Sequence, residues 1–103
     1  MPAGDEEAAM DREECLELAR ADAAQFSGVD IEDVVVVSYD DVTWRDGSLG
    51  CPRPGLMYTQ ALVEGYRIVL RVGGRELHYH GRRGAQSFRC DRPNPRGAFR
   101  DVV

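Results

Sequence analysis

The chain has 103 residues and a mass of 11.5 kDa, enough for one modest core. It carries a net charge of −5, with 43% hydrophobic and 30% charged residues, and all 13 basic side chains are arginine. That balance suits a folded soluble domain and argues against general nucleic-acid binding, which needs an excess of cations. No apolar run approaches the ~20 residues that span a bilayer, so no membrane partner is expected.

Charge is unevenly spread. Residues 1–46 hold 14 acidic and 3 basic side chains, whereas residues 47–103 hold 4 acidic and 10 basic. Two such halves are expected to attract each other within one fold. The basic excess that stays exposed is expected at Arg82, Arg83, Arg89, Arg92, Arg96 and Arg100. The N-terminus, Met-Pro-Ala-Gly-Asp-Glu-Glu, has neither the basic nor the apolar region of a signal peptide, and the expected compartment is the cytoplasm. Three cysteines, Cys15, Cys51 and Cys90, agree with that, although a Cys51–Cys90 bridge remains open under oxidising conditions.

In chain order, residues 1–4 read as disordered and 5–26 as an amphipathic helix. Leu16, Ala19, Ala23 and Phe26 form its apolar stripe, with Cys15 and Leu18 at the flanks. Asp11 and Glu14 suit a capping box, although the helix has a second candidate start at Asp5, and Ser27-Gly28 stops it. Val34-Val35-Val36-Val37-Ser38-Tyr39 is a β-branched strand that continues into Val42-Thr43-Trp44, with a bulge expected at Asp40-Asp41. Residues 45–56 contain three glycines and two prolines and read as a loop. Residues 57–63 suit either a strand or a helical turn.

The best-defined unit is a hairpin, residues 66–72 and 75–80, turning at Gly73-Gly74. That turn gathers Tyr66, Ile68, Leu70, Val72, Leu77 and Tyr79 on one face, toward the helix. It pairs Arg71 with Glu76, Val69 with His78 and Arg67 with His80 on the other, toward solvent. Ser87–Cys90 reads as a further short strand and residues 91–103 as a loosely ordered tail. The expected fold is a single α+β domain over residues 5–90, with one N-terminal helix packed across an antiparallel sheet of about four strands.

The run Val42-Thr43-Trp44-Arg45-Asp46-Gly47-Ser48-Leu49-Gly50-Cys51-Pro52-Arg53-Pro54-Gly55, together with Tyr58-Thr59-Gln60, Gly65-Tyr66-Arg67-Ile68-Val69-Leu70 and Tyr79-His80, resembles a group of small uncharacterised bacterial proteins. The chain departs from their pattern at Arg45, Glu64 and Leu77. The resemblance implies a shared fold with a marked loop and brings no activity with it. The order of elements is also similar to that of cystatin-like and PepSY-like domains, in architecture alone.

Four chemistries are weighed against these residues. The first is binding: the 45–56 loop, flanked by Trp44 and Tyr58 and carrying Arg53 near its tip, is the candidate surface for a protein or small ligand. The competing reading has Trp44 and Tyr58 merely plugging the end of the sheet. The second is metal binding at His78 and His80 with Cys51 and Cys90, disfavoured because Arg67 stands opposite His80; surface histidines without a ligand are expected. The third is thiol catalysis by Cys51 with His78 or His80 as base, for which no family signature is present. The fourth is proteinase inhibition, whose Gln-x-Val-x-Gly signature fails by one residue at Gln60-Ala61-Leu62-Val63-Glu64-Gly65. Arg53-Pro54 is also a poor scissile bond. No phosphate loop is present, no cofactor is implied, and a non-enzymatic binding module is the leading expectation.

Overall fold

The computed structural model describes residues 9–99. Asp11 opens helix α1, Arg12–Ser27: its Oδ1 accepts from the Glu14 N–H at 2.8 Å, and Glu14 Oε1 accepts from the Asp11 N–H at 3.1 Å. These reciprocal bonds satisfy two donors that a helix start leaves free. The helix therefore starts at Arg12, and the part of the earlier start that falls on residues 5–8 lies outside the described residues. Gly28 ends it at φ 73°, a left-handed conformation that glycine adopts without penalty. A single 3₁₀ turn at Ile31–Asp33 leads into the sheet.

Five antiparallel strands follow: β1 Val34–Trp44, β2 Val63–Val72, β3 Arg75–Arg82, β4 Phe88–Cys90 and β5 Ala98–Phe99. They lie in the order β4-β3-β2-β1-β5. The protein is α+β, with helix α1 packed on one face of the sheet. The β2–β3 register is the expected one, with Arg71 opposite Glu76, Val69 opposite His78 and Arg67 opposite His80. Tyr66, Ile68, Leu70, Leu77 and Tyr79 are buried beneath Cys15, Ala19, Ala23 and Ala24 of the helix. The helix stripe is thus rotated from the expected one. Small side chains let the helix sit close to the sheet, while Leu18 and Phe26 remain 40% and 43% exposed. Phe26 lies under the Arg89 guanidinium, 3.8 Å from carbon to ring centroid, a cation–π contact outside the core.

Three further expectations are corrected. The β1 bulge falls at Val37, between Val36 and Ser38, because four consecutive valines carry no alternation to mark where the pleat slips. Residues 57–62 are neither strand nor helix, and regular pairing begins at Val63. The segment expected to be a loose tail supplies β5, which pairs with Thr43 and Trp44 and is capped by Arg45 over the Phe99 ring at 4.0 Å.

The charge halves meet less than their arithmetic suggests. Of the four arginine–carboxylate pairs among the described residues, only Arg89–Asp22 joins them. Asp22 there also accepts from the Tyr79 hydroxyl at 2.6 Å, fastening helix to sheet. Arg83 pairs with Glu64, while Arg82, Arg92 and Arg96 are exposed and Arg100 lies outside the described residues. No described helix is long and apolar enough to cross a membrane.

Candidate functional site

Beyond the helix-covered core, a second, smaller core forms on the opposite face of the sheet. Trp44, at the end of β1, is its centre and is 1% exposed, surrounded by Val42, Leu49, Val63 and Ala98. Its indole N–H donates to the Gly81 carbonyl at 3.0 Å. Glycine makes room for the ring: a Cβ on Gly65 would sit 2.5 Å from Trp44 Nε1, and one on Gly50 would sit 2.5 Å from the ring edge. Trp44 is therefore an anchor of the loop and is not available as a contact residue, which favours the plugging role weighed for it above.

His80 is also corrected. The sequence placed it on a solvated face, but it is 1% exposed because the loop folds back over that end of the sheet. Its ring stacks on Trp44 at 4.5 Å between centroids, and Nδ1 lies 2.7 Å from the Leu49 carbonyl. Only a protonated Nδ1 can make that bond, so in the neutral ring Nε2 carries the lone pair. Nε2 is buried with no partner among the described residues. His78, one row along the strand, is half-buried and lies 4.0 Å from Glu76. No group of three or more metal-ligating side chains occurs among the described residues.

The loop is held at several points. Cys51 is bonded to Cys90 of β4, which removes the thiolate that a Cys51 nucleophile would need; the remaining cysteine, Cys15, is buried. Asp46 accepts from the Ser48 N–H at 2.9 Å and from its hydroxyl at 2.6 Å. Leu49 takes φ 55°, rare for a branched side chain, and is followed by Gly50 at φ 74°. The 91–97 segment clamps this turn: the Asn94 N–H donates to the Gly50 carbonyl at 2.9 Å and the Arg45 N–H to that of Gly97 at 2.8 Å.

The tip is fastened at its foot and open at its end. The Tyr58 hydroxyl accepts from the Arg53 N–H at 3.1 Å, closing a small ring around Pro54-Gly55. A shallow hollow of about 320 Å³ lies at the foot, lined in part by Leu49, Arg53, Leu56, Tyr58 and Phe88. At the end, Met57 is 96% and Leu56 58% exposed, with Leu62 60% exposed nearby in sequence. Sequence reasoning missed Met57 and Leu56; their place directly after Pro-Arg-Pro-Gly was the available signal.

Residues 16–90 match a family described as a domain of unknown function, DUF8738. The chain belongs to the DUF8738 family. No curated protein and no solved structure matches it. The matched stretch of this DUF8738 domain runs from the helix to Cys90 and so includes the loop, both bridged cysteines and the hairpin.

Burial holds the His80 pKa down to about 4, opposed by the Leu49 carbonyl and reinforced by the positive charge of Arg67 and by His78. In the unfolded chain it returns to about 6.5. Between those values the unfolded state binds a proton that the folded state refuses, so this contribution is complete above pH 6.5 and is lost as pH falls toward 4. The expected loss is about 2–3 kcal/mol. Urea unfolding of the wild type and of His80→Phe at pH 7.5, 5.5 and 4.5 checks it: the wild type should lose more stability on acidification than the variant, and parallel losses would show that His80 titrates normally.

Proposed function

We propose that this DUF8738 domain is a non-enzymatic binding module that presents the tip of its Pro/Gly-rich loop to a protein partner. The observation that carries this reading is the 96% exposure of Met57 on a loop whose foot is covalently bridged. A large apolar side chain held out in water gains free energy when a partner covers it. Tethering reduces the ordering entropy that binding would otherwise cost. The contact set is Arg53, Leu56, Met57 and Tyr58, with Trp44 beneath them as support. A projecting tip suits insertion into a cleft on another protein, whereas small molecules are usually held in concave pockets. Proteinase inhibition is one special case, with Met57 as the inserted residue. The Cys51–Cys90 bridge supports an oxidising compartment over the cytoplasm expected from the sequence.

Affinity capture from a lysate of the source organism, comparing the wild type with an Arg53→Ala/Met57→Asp double variant, tests the reading. A partner retained by the wild type should fall at least about tenfold with the variant. Folding stability should stay within about 0.5 kcal/mol, since both side chains are exposed. Equal recovery by the two proteins, or no protein retained by either, would overturn it.

A further inference from the structure

The loop and the 91–97 segment cover only one end of the outer sheet face. Where they stop, a groove of about 350 Å³ opens between the sheet and Pro93-Asn94-Pro95. Its floor is two neighbouring cross-strand rows, Ser38–Val69–His78 and Asp40–Arg67–His80. Its wall is stiff, because two prolines fix their backbone angles and Asn94 is bonded to Gly50.

The second row carries the chemistry. Arg67 stands at its centre, half-buried, and forms no salt bridge among the described residues even though Asp40 is its register partner. Asp40, on one side, is an exposed carboxylate. His80, on the other, lines the groove with a ring whose Nδ1 is committed to Leu49 and whose Nε2 is buried without a partner. Because the ring is neutral near pH 7, Nε2 there is an acceptor. The accessible charges of the row are therefore an anion and a cation side by side, with the neutral His80 ring beneath them. A bare anion satisfies Arg67 but meets the Asp40 charge. A metal cation is repelled by Arg67.

We propose that this groove binds a free α-amino acid, with its carboxylate on Arg67 and its ammonium at Asp40, beside the buried His80 ring. Val69 and the two prolines offer apolar surface for the aliphatic part of such a ligand. The site is separate from the Met57 tip and does not depend on the partner proposed there.

The test is a titration of the full chain, ¹⁵N-labelled at histidine, with each of the twenty amino acids, and with acetate, ethylammonium and inorganic phosphate as partial probes. At least one amino acid should shift the His80 ring signals saturably, with a dissociation constant below about 1 mM. Each partial probe should bind about tenfold more weakly or worse, since it satisfies only one of the two charges. Arg67→Gln and Asp40→Asn should each weaken binding about tenfold, with thermal midpoints close to wild type because neither side chain is in a core. Absence of a saturable shift with every amino acid would overturn the proposal. So would binding unchanged in both variants, or phosphate or acetate binding as tightly as the best amino acid, which would make the groove a simple anion site.

Discussion

Replacing Trp44 with alanine is expected to destabilise the protein by about 3–5 kcal/mol, the range for truncating a buried aromatic side chain. The side chain is 1% exposed and centres the second core. Its loss would leave a cavity and remove the indole's bond to the Gly81 carbonyl. It would also remove the surface on which His80 stacks. Gly50 and Gly65 cannot refill that space without backbone movement, since neither has a side chain. A domain of this size has only about 5–15 kcal/mol of stability in total, so Trp44→Phe provides the second arm. Phenylalanine retains much of the packing but gives up the indole's bond to the Gly81 carbonyl, a loss of about 0.5–1.5 kcal/mol. Urea unfolding followed by circular dichroism measures both. A change below about 1 kcal/mol for the alanine variant would show that the loop does not depend on this anchor.

Removing the Cys51–Cys90 bridge is the second large effect. The cysteines are 39 residues apart in sequence, and closing a span of that length lowers unfolded-chain entropy by the equivalent of about 4 kcal/mol. With some native-state relaxation, the Cys51→Ser/Cys90→Ser variant should lose about 3–4 kcal/mol. For a domain of this length that corresponds to a fall in thermal midpoint of roughly 15–25 °C. Reduction of the wild type should produce a similar fall, while the double-serine variant should not respond to reductant. Thiol counting on denatured, unreduced protein gives the companion check: Cys15 alone should react. Three reactive thiols, or midpoints indifferent to reductant, would contradict the bridge.

What the sequence disclosed was local. The capping pair Asp11 and Glu14, the Gly73-Gly74 turn and the β2–β3 register each follow from residues a few positions apart, and the structure places them as expected. What it concealed depends on distant segments meeting. His80 alternates onto a face that reads as polar, and it is buried only because residues 45–51 return across it from 30 positions away. Trp44 looks like a contact aromatic until Gly65, Gly50 and Ala98 close around it. β5 is two residues long and carries no periodicity of its own; its pairing with Thr43 and Trp44 comes from the 91–97 clamp. The tip at Leu56 and Met57 was hidden for a different reason, since a short apolar pair after a turn gives no sign of whether it points inward or out.

The β1 bulge has a consequence for how molecules of this protein behave in crowded solution. β5 covers β1 only at Thr43 and Trp44, so among the described residues the outer edge from Val34 to Val42 has no strand beside it. Val35, Val36 and Val37 are 53%, 40% and 42% exposed along that edge. A straight edge of this composition would template the growth of a sheet from one molecule to the next. The extra residue at Val37 breaks the spacing of amides and carbonyls in mid-strand, and Asp40 and Asp41 bring like charges to any copy that tries to continue past it. The same irregularity that obscures the strand in the sequence makes this valine edge a poor template for sheet growth.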